Sequence, residues 1–229
     1  MNKSLHVFVG PSGPLEPGPY ICHPPARYGD IFKLSKKGAQ VIVLIDAVLM
    51  HSPGPTHLEL LEVLGQGVTI VGAASTGALR AAELGSQGML GLGTIFNAYN
   101  NEYLTDDSEL CVAMSSRDFR ALSLPLVRIR AALASSLALG LSKPDVNAAL
   151  SIAEEIHFME RTPSDLIRQW YSCLPLATAD TITGCLKSAH SDVKQRDAQD
   201  AVNWAIAGLP PDRPDVAAYQ TVLYKPSHA

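Results

Sequence analysis

Three continuous apolar runs, rich in β-branched residues, punctuate the first third of the chain. They are Leu5-His6-Val7-Phe8-Val9-Gly10, Gln40-Val41-Ile42-Val43-Leu44-Ile45-Asp46 and Val68-Thr69-Ile70-Val71. Short unbroken runs of this kind predict strands of a parallel sheet buried on both faces, not strands with one wet side. The first run stops at the breaker cluster Gly10-Pro11-Ser12-Gly13-Pro14, and the prolines that follow predict one long ordered loop to about residue 29. Asp30 is placed to cap a short helix over residues 31–37. Thr56 and Glu59 have the spacing of a capping box, so a helix starts there and ends at Gly65. Strand, helix, strand at this spacing predicts a βαβ crossover.

After the third run, residues 78–84 are strong helix formers. Gly85, Gly88, Gly91 and Gly93 predict a turn region, followed by a short helix over residues 94–101. From residue 117 onward the apolar spacing is helical. It predicts helices over 125–140 and 143–161, one starting at 162–165, and two more over 175–190 and 192–207. The fold expected is α/β, a parallel Rossmann-like sheet with helices in the N-terminal half, followed by a helical C-terminal half. The organisation expected is a core over residues 1–130, a helical region over 131–208 packed on it, and a proline-containing surface tail over 209–229.

Composition narrows the possible functions. Of the 229 residues 47% are apolar and 17% charged, enough for a substantial core, and the formal charge of −4 lacks the basic footprint of nucleic-acid binding. No eighteen-residue apolar run suggests a membrane span, and the N-terminal residues lack a signal-peptide cleavage pattern. Cys22, Cys111, Cys173 and Cys185 form no Cys-x-x-Cys motif. Reduced thiols in a cytoplasmic protein are expected, with neither metal nor cofactor. Asp106, Asp107 and Glu109 lie close together, but helix capping and solvation explain them more simply than a cation does.

The stretch richest in chemistry is Gly72-Ala73-Ala74-Ser75-Thr76-Gly77-Ala78. It joins a strand to a helix through small residues only, and leaves the Ser75 hydroxyl beside the free N–H groups of a helix start. That layout suits an activated serine with a built-in oxyanion site. It equally suits a serine that only caps the helix, and phosphate binding is a third reading. Gly-x-Ser-x-Gly, Gly-x-Gly-x-x-Gly and the Walker lysine are all absent, so no general motif chooses among them. Asp46, at the end of an apolar strand, is either a site residue or a loop cap.

Several pieces occur in an order that resembles the TfuA-like proteins. They are Val9-Gly10-Pro11-Ser12, Pro24-Pro25-Ala26-x-x-Gly29-Asp30, Ile45-Asp46, His57-x-Glu59-Leu60-Leu61, and the run from Gly72 to Leu84. Then come Gly88-Met89-x-Gly91-x-Gly93-x-Ile95-Phe96, Asp106-Asp107-x-Glu109, Leu122-Ser123-x-Pro125-Leu126-Val127-x-Ile129-Arg130, and Lys194-x-Arg196-Asp197-Ala198 near the end. The resemblance implies a partner of a YcaO-type enzyme that puts thioamides into a peptide or protein. In that role it would release sulfide from a thiocarboxylated ThiS-like sulfur carrier through a serine–lysine pair.

Ser75 would then be the nucleophile and Lys194 its base, with Gly72, Ala74, Thr76, Gly77 and Arg80 holding the oxyanion or the thin Gly-Gly tail that the resemblance implies for the carrier. Asp30, Asp46, His57, Glu59 and Glu83 would support them, Arg80 and Glu83 being able to pair at i and i+3. Arg80 stands between two roles, binding the carrier tail or an internal acid. The family usually has His-Lys-Glu where this chain has His57-Leu58-Glu59. If that lysine were the base, the chain would be a non-catalytic adaptor that docks YcaO and its peptide. A small esterase or a nucleotide-binding α/β protein is a third possibility.

Overall fold

The computed structural model describes residues 4–48 and 53–210. Five strands form one wholly parallel sheet: β1 (Leu5–Phe8), β2 (Ile21–His23), β3 (Val41–Leu44), β4 (Thr69–Ala73) and β5 (Leu90–Leu92). Their order is β2-β1-β3-β4-β5, with Leu44 level with both Phe8 and Gly72. The expected α/β fold with a helical C-terminal half is what the chain forms.

Two strands escape the sequence reading. β2 lies inside the stretch read as a loop, where it is a three-residue edge strand. An edge strand tolerates flanking prolines because its outer N–H groups need no partner. β5 lies inside the stretch read as a glycine turn. Its Gly91 is required by packing, because a Cβ there would stand 2.0 Å from the Phe96 ring.

The nine helices of the described residues follow the predicted segments, except that the one expected over 143–161 ends at Glu155. In the N-terminal half they are α1 (Asp30–Lys36), α2 (His57–Gly65), α3 (Thr76–Leu84) and α4 (Thr94–Asn100). In the C-terminal half they are α5 (Leu126–Ala138), α6 (Lys143–Glu155), α7 (Pro163–Cys173), α8 (Leu176–Lys187) and α9 (Val193–Ile206). Alternation along the strands divides the sheet's side chains between two cores. Phe8, Ile42, Leu44 and Ile70 pack with residues of α1 to α5, including Ile31, Leu60, Ala81 and Val127. Val7, Val41, Val43, Ile45 and Val71 face the other way and meet Ala198, Ala201, Val202 and Trp204 of α9. Among the described helices only α9 covers that second face.

A third core joins α5 to α6, α7 and α8 around Trp170 and Leu166. Residue 130 falls inside α5, whose Val127 and Ala131 belong to the first core and Ile129 and Leu133 to the third. Most of the expected tail, residues 211–229, lies outside the described residues.

Candidate functional site

The strand–turn–helix at Ser75 folds through a backbone conformation that side chains rarely adopt. Ala74 has φ 64°, and the Ser75 N–H donates to the Ala73 carbonyl at 2.7 Å, closing a three-residue γ-turn on Ala74. A left-handed alanine costs on the order of 1–3 kcal/mol. Glycine would relieve that strain, but the Ala74 methyl is fully buried in the core beneath α9. α3 then starts at Thr76. Ser75 makes no side-chain capping hydrogen bond, which removes the capping reading. The Gly77 N–H donates to Ile45 O at 3.0 Å, and Ala78 N–H to Ser75 O at 2.9 Å. Among the described residues the Thr76 N–H meets no acceptor.

Gly72, Ala74 and Gly77 do not line a channel. A Cβ on Gly77 would stand 1.7 Å from Leu44 O, and one on Gly72 2.0 Å from Gly77 O. The small residues let α3 press its backbone onto β3 and β4, which leaves no room for a ligand. Space opens one residue further along. A cavity of about 300 Å³ is lined by Ser75, Thr76, Asp46, Lys194, Leu110 and Cys111, with an apolar wall beyond. It lies at the C-terminal ends of β3 and β4, where open α/β sheets bind their ligands.

Lys194, on the first turn of α9, is only 4% exposed. Its Nζ donates to Leu110 O at 3.2 Å and stands 4.0 Å from Asp46 Oδ1. Burial pulls its amine below the ordinary 10.5, although the carboxylates of Asp46 and Asp192 pull the other way. Geometry alone would make this an ion pair. At 4.0 Å the contact is too long to offset desolvation, and burial prevails. Asp46 is already engaged. It accepts from Gly10 N–H at 2.8 Å, Ser12 N–H at 2.9 Å and Ser12 Oγ–H at 2.8 Å, clamping the end of β3 to the loop after β1.

The remaining predicted residues sit elsewhere. His57, Arg80 and Glu83 form a surface cluster in which Glu83 accepts from Arg80 and lies 2.8 Å from His57 Nε2. Arg80 and Glu83 line a second hollow of about 400 Å³ with Thr105, Asp106 and Asp107, separated from the first by Thr76 and Leu110, which line both. The acid that Arg80 meets is therefore Glu83. Glu59 completes only half of the expected capping box. Thr56 accepts from Glu59 N–H at 3.2 Å, but the Glu59 carboxylate turns to the start of α1, accepting from Gly29 and Phe32 N–H. Asp30 accordingly does not cap α1. The cap position is Gly29, at φ 83°, and Asp30 accepts from Arg27 N–H and pairs with Lys33. Leu58 is 79% exposed on α2 and does not line the Ser75 cavity.

Two arrangements went unread in the sequence. Asp197, one helical turn after Lys194, is fully buried and accepts from the Ile95 N–H at 2.8 Å. Burial pushes its carboxyl up to about 6, against the pull of the Ile95 and Thr94 N–H groups. It therefore binds α9 to the start of α4, and the i, i+3 spacing with Lys194 was the available signal. Glu109 accepts from Arg130 Nε at 2.9 Å and Nη2 at 2.7 Å. It serves a buried ion pair that anchors the segment bearing Leu110 and Cys111 onto α5. Among the described residues no three His, Cys, Asp or Glu side chains gather as a metal site, and no helix is long and apolar enough to cross a membrane.

No curated protein matches the chain. The model of the family described as TfuA-like protein matches residues 46–162, just over half of the chain. The match takes in Asp46, Ser75 and the apolar cavity wall, and stops short of Lys194. The chain belongs to the TfuA-like protein family.

Proposed function

We propose that this protein is a hydrolase that releases sulfide from the thiocarboxylated C-terminus of a ThiS-like carrier, working beside a YcaO-type enzyme in backbone thioamidation. A YcaO-associated role is consistent with the family. The observation that carries the chemistry is that Ser75 and a buried Lys194 of lowered pKa line one cavity.

In this reading Lys194 is neutral and takes the Ser75 proton. Ser75 Oγ attacks the thiocarboxylate carbon, and the oxyanion is held by the Thr76 N–H at the start of α3. Collapse breaks the C–S bond as Lys194 passes that proton to the departing sulfur, which leaves as hydrosulfide with the carrier's glycine held as an ester on Ser75. Water, deprotonated by the again neutral Lys194, then cleaves that ester to free carboxylated carrier, and Lys194 returns the proton to the departing Ser75 Oγ. Leu110 O holds the Lys194 amine, and Asp46 positions the loop after β1. The absence of lysine at position 58 does not weaken this mechanism, because that position points to solvent.

The test is sulfide release from a thiocarboxylated ThiS-like carrier by wild-type protein and Ser75→Ala. The hydrolase reading expects release by the wild type and loss of at least about 1000-fold in the variant. The adaptor reading expects no release by either protein, with binding to the YcaO-type enzyme intact in both.

A further inference from the structure

The Ser75 cavity has two kinds of wall. The strand ends and α9 supply Asp46, Ser75, Thr76 and Lys194. The segment after Leu110 and the turn after α6 supply Val112, Met114, Leu122, Phe158 and Met159. Leu122 and Met159 remain 45% and 51% exposed. An apolar rim left open to water around a cavity with convergent polar groups marks a ligand contact. A glycine tail has no side chain to set against it. A cavity of about 300 Å³ is already the size of a small-molecule site.

We infer that this wall is a specificity pocket for one apolar side chain of the acyl donor, carried on the residue just before its small C-terminal tail. The inference rests on the hydrolase reading. With the reacting carbon at Ser75 Oγ, two extended glycines reach back roughly 7 Å, about the width of a cavity of this volume. The next residue therefore arrives at the rim formed by Leu122, Phe158 and Met159. A leucine there is removed from water against apolar atoms. A lysine must either snorkel out or leave its charge against a wall that offers no acidic partner.

The probes are three short N-acetylated peptide thiocarboxylates ending Ala-Gly-Gly, Leu-Gly-Gly and Lys-Gly-Gly, with sulfide release as the readout. The leucine peptide is expected to exceed the alanine peptide in kcat/KM by about tenfold or more, each buried methylene being worth about fourfold. The lysine peptide is expected not to exceed the alanine one. In Leu122→Ser and Met159→Ser, both at exposed positions that the fold tolerates, the leucine-to-alanine ratio should fall towards one.

Equal turnover of the three peptides, preference for lysine, or a ratio unchanged in both variants would overturn the inference while leaving the hydrolase standing. Release from the intact carrier but from none of the peptides would also overturn it. No release from any peptide or from the carrier would remove the hydrolase reading and the inference with it.

Discussion

Lys194 is in the wrong place for a lysine that serves stability. A buried amine loses its hydration, and the single hydrogen bond to Leu110 O and the distant Asp46 carboxylate do not restore it. Because its folded-state pKa lies below 10.5, the unfolded chain binds more protons between those two values, so stability rises with pH across that window. Lys194→Met should flatten this slope. At neutral pH it should be as stable as the wild type or more so, by up to about 4 kcal/mol, with sulfide release abolished. Calorimetry across pH checks the first point and the carrier assay the second.

Gly77 presents the opposite case, being placed for stability alone. Gly77→Ala drives a methyl into the Leu44 carbonyl, and a loss of about 3 kcal/mol or more is expected in urea denaturation. The sequence showed that small residues were needed from Gly72 to Gly77. It did not show whether they make room for a substrate or for a neighbouring backbone, because both require the same residues. Ser75 was ambiguous for a similar reason. A serine before a helix reads alike as cap or nucleophile, and only the structure shows that Ser75 makes no capping hydrogen bond.

At the scale of elements, α9 carries the proposed base and holds it in place. Asp197 ties the helix to α4 from the same face that presents Lys194. The raised Asp197 pKa means that the folded state binds more protons than the unfolded one between 3.8 and about 6. Stability contributed there therefore falls as pH rises through that window, by up to about 3 kcal/mol. Asp197→Asn keeps an acceptor for Ile95 N–H and should lose that pH dependence, so its stability should rise relative to wild type from pH 4 to 7.

The Glu109–Arg130 pair binds the opposite wall of the cavity. Although burial works against the Arg130 charge, Glu109 and Glu154 hold its pKa above the ordinary value. Glu109→Ala leaves a buried guanidinium short of its bidentate partner. It should cost about 3–5 kcal/mol in chemical denaturation. In the sequence Glu109 read as one of three neighbouring acids, since its partner is brought close only by the packing of α5. Long elements with clear period and caps were legible in order and, apart from the C-terminal end of α6, in extent. β2 and β5, three residues each, were not, because strands that short among proline and glycine leave no periodicity to read.

Across the whole molecule, the cavity is assembled from parts that only the fold brings together. Gly10 and Ser12 after β1 hold Asp46 after β3, Ser75 follows β4, and Lys194 returns from the far end of the chain on α9. The parallel strands explain the convergence, because all their C-terminal ends lie along one edge of the sheet. That much could be read from the apolar runs. That α9 closes the site could be suggested only by the Lys-x-Arg-Asp-Ala element, since nothing in its spacing fixes which sheet face it covers.

The central claim, that Ser75 is acylated with Lys194 as its base, is tested most directly by the mass of the protein acid-quenched during its first turnover of thiocarboxylated carrier. The account predicts an adduct equal to the carrier less one hydrogen sulfide. It should map to Ser75, be absent in Ser75→Ala and form far more slowly in Lys194→Met. Cys111 lines the same cavity, and burial, together with Asp107, raises its thiol above the ordinary value, so no adduct is expected there. An adduct on Cys111, or undiminished sulfide release by Ser75→Ala, would contradict the account.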